Sequence, residues 1–279
     1  AARTFQKPLL ARSRSPWIAR ARTEIAGRLV LRHRAPFSYR SDRLGGVPVR
    51  RLDGRGATVL HLHGGGYMFF SARTHQGLAA ALAKPLGASA VLPHYRRAPE
   101  HPFPAALDDA EAVYRCLAGP VILSGDSAGG GLAMALLHRI LAQGLKTPKA
   151  VLAFSPWADL SLSGASLVRN APHDALLPAA KLPEVAAAYA GETDPRTPDL
   201  SPIYGDFKGA PPVLIQAAGD EILLSDAETL AKRLEEVGGP VTLSVRPRGL
   251  HAGQVLTGWV PEADQDVAEA VAFMRDALG

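Results

Sequence analysis

The sequence predicts an α/β protein with a mostly parallel central sheet, flanked by helices and carrying a helical cap. From about residue 57 onward, short apolar runs alternate with segments of helical periodicity. The apolar runs are rich in Val, Leu and Ile, as strands covered on both faces are. Neither an internal repeat nor a low-complexity linker interrupts the alternation. The expected strands are Thr58–Leu62, Ser89–Leu92, Val121–Leu123, Ala150–Phe154, Val213–Ala217 and Val241–Val245. Pro104–Leu117, Ala128–Gln143, Ser225–Val237 and Pro261–Leu278 read as crossover helices. Two stretches depart from the alternation and are too long for simple connections. They give the expected organisation: an N-terminal cap segment over 1–40, and a main α/β domain over 41–279 with a cap insertion at about 158–210.

Composition narrows the function classes. With 47% hydrophobic and 20% charged residues, the chain is neither disordered nor fibrous in type. The single cysteine, Cys116, excludes an intrachain disulfide framework, and its amphipathic surroundings suggest core packing. No apolar run reaches the roughly 18 residues of a spanning helix, so stable membrane insertion is not expected and a cytoplasmic location is. Residues 1–51 hold 13 Lys/Arg against 2 Asp/Glu, a charge of +11, leaving 18 against 24 in the rest. Such a basic front reads as a solvated face pairing with an acidic body, and nucleic-acid binding is not inferred from it.

The chemistry begins at Gly125-Asp126-Ser127-Ala128-Gly129, which sits between a strand and a long helix. A serine on so sharp a strand-to-helix turn has its hydroxyl raised above the sheet, and its flanks must be small. This resembles the nucleophile elbow of α/β-hydrolases, and it makes Ser127 the expected nucleophile. Some 60 residues earlier, the strand ending at Leu62 runs into His63-Gly64-Gly65-Gly66-Tyr67. Consecutive glycines let a loop present backbone N–H groups to a developing oxyanion, so Gly64 and Gly65 are the expected donors, joined by Ala128.

In this fold the chain order is nucleophile, acid, histidine. Only His138, His173 and His251 follow Ser127; His138 lies on the helix leaving the elbow, and His173 lies in the cap insertion. His251, in the loop after the last strand, is the expected base. Its orienting acid belongs at the end of the strand Val213–Ala217, where Asp220 is the first candidate. Glu221 or Asp226 could serve instead, and Asp220 could merely cap the following helix. Tyr67, Met68, Phe69 and Trp157 could line a substrate pocket, or equally pack a core.

These residues resemble the hormone-sensitive-lipase-like family of α/β-hydrolases, in the branch with a Gly-Asp-Ser-Ala-Gly nucleophile motif. The resemblance extends to Tyr95–Asp109, Ser155-Pro156-Trp157 and Asp220–Leu224. It implies a serine carboxylesterase acting on short- to medium-chain esters through an acyl-enzyme, with no cofactor and no metal. A small-molecule ester is then the partner, and by analogy with the fold the chain is expected to form a homodimer. A lactonase or amidase would use the same residues with a different pocket, and a non-catalytic receptor is opposed by His251. This sequence departs from the family at Ala252, where an aromatic or bulky residue often follows the histidine. It departs again at Ser225-Asp226, where paired acids are frequent.

Overall fold

Successive residues of a strand face opposite sides of a sheet, so an unbroken apolar run needs cover on both. The computed structural model, which describes residues 16–31 and 37–279, provides it with helical layers on each face of one eight-stranded sheet. The strands are β1 (Arg40–Leu44), β2 (Val47–Leu52), β3 (Thr58–Leu62), β4 (Ser89–Pro93), β5 (Val121–Asp126), β6 (Ala150–Phe154), β7 (Val213–Ala218) and β8 (Val241–Arg246). Their spatial order is β1-β2-β4-β3-β5-β6-β7-β8. The pairs β1·β2 and β2·β4 are antiparallel, and all others are parallel.

All six expected strands are present, and β5 reaches Asp126, the residue before the serine. The hairpin β1–β2 was not among them. Its strands are arginine-rich and β1, at the sheet edge, turns mostly exposed side chains outward, so they lack an apolar run. The legible signal was Gly45-Gly46 between two short segments. At the other edge, β8 is less buried than its Val and Leu content suggests: Leu243 and Val245 are 36% and 38% exposed.

The helices are α1 (Pro16–Val30), α2 (Gln76–Ala83), α3 (Ala105–Arg115), α4 (Ala128–Ala142), α5 (Ser166–Arg169), α6 (Leu182–Ala190), α7 (Leu224–Glu236) and α8 (Pro261–Leu278). Leu60, Leu62, Leu123, Val151 and Ile215 share one core with α3, α4 and α7. Their strand neighbours Val59, Ile122, Leu152 and Leu214 share the other with α2 and α8. The sheet alternation thus separates two apolar cores, and the apolar face of the catalytic-motif helix α4 lies within the first.

Of the expected N-terminal cap segment, residues 1–15 and 32–36 lie outside the described residues; the remainder includes α1. The expected insertion 158–210 carries α5 and α6. Arg20 ties α1 to the body through Met68 O, Ala98 O and both carboxylate oxygens of Glu100. Cys116 does not pack the core: it follows the last turn of α3 and is exposed, because the apolar face of that helix ends at Tyr114. Among the described residues no helix is long and apolar enough to cross a membrane.

Candidate active site

Ser127 joins β5 to α4 with φ 54° and ψ −124°, a region an L-residue enters only when its surroundings impose it. Here they do. The Ser127 N–H donates to Phe154 O at 2.8 Å, and its carbonyl accepts from Trp157 N and Gly131 N at 2.9 and 3.0 Å. A Cβ on Gly125 would lie 2.1 Å from Gly129 O, and one on Gly129 would lie 2.0 Å from Leu62 O. Only glycines at these positions let the helix start this close to β3 and β5.

His251 Nε2 lies 2.8 Å from Ser127 Oγ, and His251 Nδ1 lies 2.7 Å from Glu221 Oε2. With Nδ1–H donated to the carboxylate, Nε2 is left as the acceptor of the serine proton. Burial by itself would lower the His251 pKa. The charge of Glu221 and its hydrogen bond outweigh burial, with smaller help from Asp174 and Asp126, and the net shift is upward from 6.5. The loop is set by Ala252, which adopts φ 50° and donates its N–H to Ser155 Oγ at 2.9 Å.

The acid in contact with the histidine is therefore Glu221, not Asp220. Asp220 is half-buried beside it and makes no hydrogen bond to His251, whereas Glu221 is buried. The turn after β7 rotates successive side chains apart, and the second carboxylate is the one that faces inward. Asp226, the other alternative, serves elsewhere: its Oδ2 accepts the N–H groups of Ala158 and Asp159, both at 2.9 Å. Burial, then the Asp159 charge, raise the Asp226 pKa well above the usual carboxylate range. His138 is likewise engaged away from the serine, 2.8 Å from Asp199 Oδ1.

The glycine loop also differs from expectation. The Gly64 N–H donates to Asp126 Oδ1 at 3.1 Å, so it is not available to an oxyanion. The chain is still leaving β3 at Gly64 and turns only at Gly65 and Gly66, with φ of 113° and 59°. Among the described residues, the N–H groups of Gly65, Gly66 and Ala128 have no hydrogen-bond acceptor. An open N–H at Gly66 was not among the expected donors; the positive φ it adopts is not visible in a run of three identical residues.

Behind the loop is a buried polar group that the motifs alone did not assemble. Asp126 lies 3.3 Å from His75 Nε2 and 3.3 Å from His61 Nε2, the latter an electrostatic contact without hydrogen-bond alignment. Burial would raise the Asp126 pKa, but the two imidazoles hold it well below the ordinary carboxylate range. Tyr95, stacked on His63 at 4.2 Å, donates its hydroxyl to His63 O at 2.6 Å.

Of the tentative pocket residues, Tyr67, Met68 and Trp157 are buried in the first core and Phe69 packs against it. The Tyr67 ring stacks on Tyr189 of α6 at 3.7 Å, with the planes 3° apart. Val185 of the same helix lies against Gly66.

A family model described as the alpha/beta hydrolase fold matches residues 59–254, a span that includes the serine, Glu221 and His251. The chain belongs to the α/β-hydrolase family. The hydrolase is 43% identical over 235 residues to an acetyl-hydrolase of Streptomyces hygroscopicus, covering 82% of this chain and 78% of the relative. It superposes with a TM-score of 0.91 on the crystal structure of an esterase from the bacterial hormone-sensitive lipase family. That pair is 32% identical, with 96% and 93% of the two chains covered. A hormone-sensitive lipase from a metagenome library gives a TM-score of 0.89 at 36% identity, covering 96% and 93%. The hydrolase is thus a hormone-sensitive-lipase-like carboxylic ester hydrolase, as its motifs implied.

Proposed function

We propose that this hydrolase cleaves short- to medium-chain carboxylic esters through an acyl-enzyme on Ser127, with His251 as base, Glu221 as orienting acid, and Gly65, Gly66 and Ala128 as oxyanion donors. The observation that carries this reading is the unbroken chain Ser127 Oγ, His251 Nε2, His251 Nδ1, Glu221 Oε2, with contacts of 2.8 and 2.7 Å.

In the first half-reaction, the serine oxygen bonds to the ester carbonyl carbon as its proton passes to His251 Nε2. The carbonyl oxygen takes the negative charge and is held by the three unpartnered N–H groups, donors that need no reorganisation as charge develops. Glu221 stabilises the imidazolium without accepting its proton. The C–O bond then breaks, and His251 returns the proton to the leaving alcohol. In the second half-reaction, water gives a proton to His251 Nε2 and attacks the acyl carbon; the bond from that carbon to Ser127 Oγ then breaks, His251 returns the proton to Oγ, and the carboxylic acid leaves. The acetyl-hydrolase named above supports the preference for small acyl groups.

A fluorophosphonate, followed by peptide mass spectrometry, tests the nucleophile, and a p-nitrophenyl ester series tests chain length. The expected result is an adduct on Ser127 and a rate that falls with long acyl chains. A Ser127→Ala variant should lose about 10⁴- to 10⁶-fold in kcat. Retained activity in that variant, or labelling at another residue, would refute the assignment.

A further inference from the structure

The turn that carries Glu221 is gripped from outside by one short segment. Asn170 N donates to Ser166 O and Asp174 N to Asn170 O, at 2.9 and 2.8 Å, so residues 166, 170 and 174 stack one helical turn apart. All three side chains are buried and all three reach the turn after β7. Asn170 Nδ2 donates to Gly219 O at 2.9 Å and to Glu221 O at 2.8 Å, bracketing Asp220 between the two carbonyls. Arg169 Nε, 3.3 Å from Asn170 Oδ1, fixes which end of the amide faces the turn. Asp174 Oδ2 accepts from Ile222 N at 2.9 Å. Ser166 Oγ donates to Ile222 O at 2.6 Å and accepts from Ser225 N at 2.9 Å, while Ser225 Oγ accepts from Ser166 N at 3.0 Å.

Neighbouring residues 220 and 221 both carry carboxylates, so the sequence alone leaves two acids competing for one imidazole. A slip of one residue in the turn would exchange them. The side chains of residues 166, 170 and 174 hold the backbone of residues 219, 221 and 222 on both sides of the ambiguity.

We propose that Asn170, with Ser166 and Asp174, is a positioning residue that fixes the register of the acid turn so that Glu221, and not Asp220, faces His251. This inference rests on Glu221 being the acid of the triad. Such a grip acts on kcat more than on KM, because it holds the base and touches no substrate.

The test is a double-mutant cycle between Asn170→Ala and Glu221→Gln, read as kcat, KM and the pH profile of ester hydrolysis. Alone, Asn170→Ala should lower kcat about 10- to 100-fold with KM little changed, a scale seen for groups that orient a catalytic ligand. Its acid limb should move to lower pH, because a displaced Glu221 raises the His251 pKa less. On the Glu221→Gln background, Asn170→Ala should add little. Equal losses on both backgrounds would mean a general structural role and would overturn the positioning role alone. Full activity in Glu221→Gln would overturn the acid assignment and this inference with it. If Asn170→Ala does not fold, Ser166→Ala carries the same cycle, with a smaller loss and the same non-additivity expected; additive losses there would equally overturn it.

Discussion

Glu221 Oε2 sits 2.7 Å from His251 Nδ1 with both side chains buried, so the negative charge that orients the imidazole is almost shielded from water. A buried charge pair of this kind is costly to break, because the partner left behind has no solvent to replace the lost contact.

Removing that charge while keeping its shape should therefore be expensive. Glu221→Gln is expected to lower kcat about 10³- to 10⁴-fold through loss of the correct tautomer. Asp220→Asn, at a half-buried position without a hydrogen bond to the base, should stay within about twofold. Steady-state kinetics on one p-nitrophenyl ester would separate the two, and a reversed order of losses would make Asp220 the acid.

The pH dependence follows from the sign of the His251 shift. In the proposed mechanism the neutral imidazole is the active form; burial lowers the His251 pKa, but Glu221 outweighs it and the value lies above 6.5. Activity should thus rise with pH through a value above 6.5, whereas in Glu221→Gln burial acts largely unopposed and the limb should move downward. The stability linked to the same group has the opposite sense. It is fully present below 6.5 and is lost as pH rises through the folded-state pKa. A kcat/KM profile of the wild-type enzyme with a limb well below 6.5 would contradict the Glu221 contribution.

Asp126 holds Gly64, and Gly64 precedes the two unpartnered loop amides. Asp126→Asn removes the charge that His61 and His75 face, and should loosen the loop. The expected loss in kcat is about 10- to 100-fold, less than deleting an oxyanion donor outright. Labelling of Ser127 by fluorophosphonate should slow in parallel. Because the Asp126 pKa is depressed, its contribution to stability is present above the ordinary value of 3.8 and lost as pH falls through the folded-state value. Unchanged kcat in the Asp126→Asn variant would show that the loop holds its shape unaided.

Gly129 tests the packing beneath the elbow. A methyl group there would meet Leu62 O at 2.0 Å, a backbone atom that cannot swing aside. Gly129→Ala should destabilise the fold by about 1–3 kcal/mol, as overpacked cores do, and shift α4 and Ser127 with it. Urea denaturation followed by circular dichroism would measure the loss, and an unchanged midpoint would refute the packing argument.

Much of this protein was written locally. The strand-to-helix break around Ser127, the glycine run after β3 and the histidine after β8 each depend on a few adjacent residues. Period and composition therefore sufficed to find them, along with six of the eight strands. The hairpin β1–β2 escaped because an exposed edge strand lacks the apolar run that marks a buried one. Cys116 was misjudged because burial at a helix end depends on what packs there, not on the helix pattern.

The sequence by itself determined six of the eight strands, the sharp turn at Ser127, a histidine on the loop after β8 and two neighbouring acids after β7. Only the tertiary structure decided which acid meets the imidazole and which glycine amide is occupied. Asp220 and Glu221 differ by one residue in a turn, and Gly64 and Gly66 not at all in chemistry. What distinguishes them is the direction each group takes once residues far away in the chain, Asn170 and Asp126, have closed on the backbone.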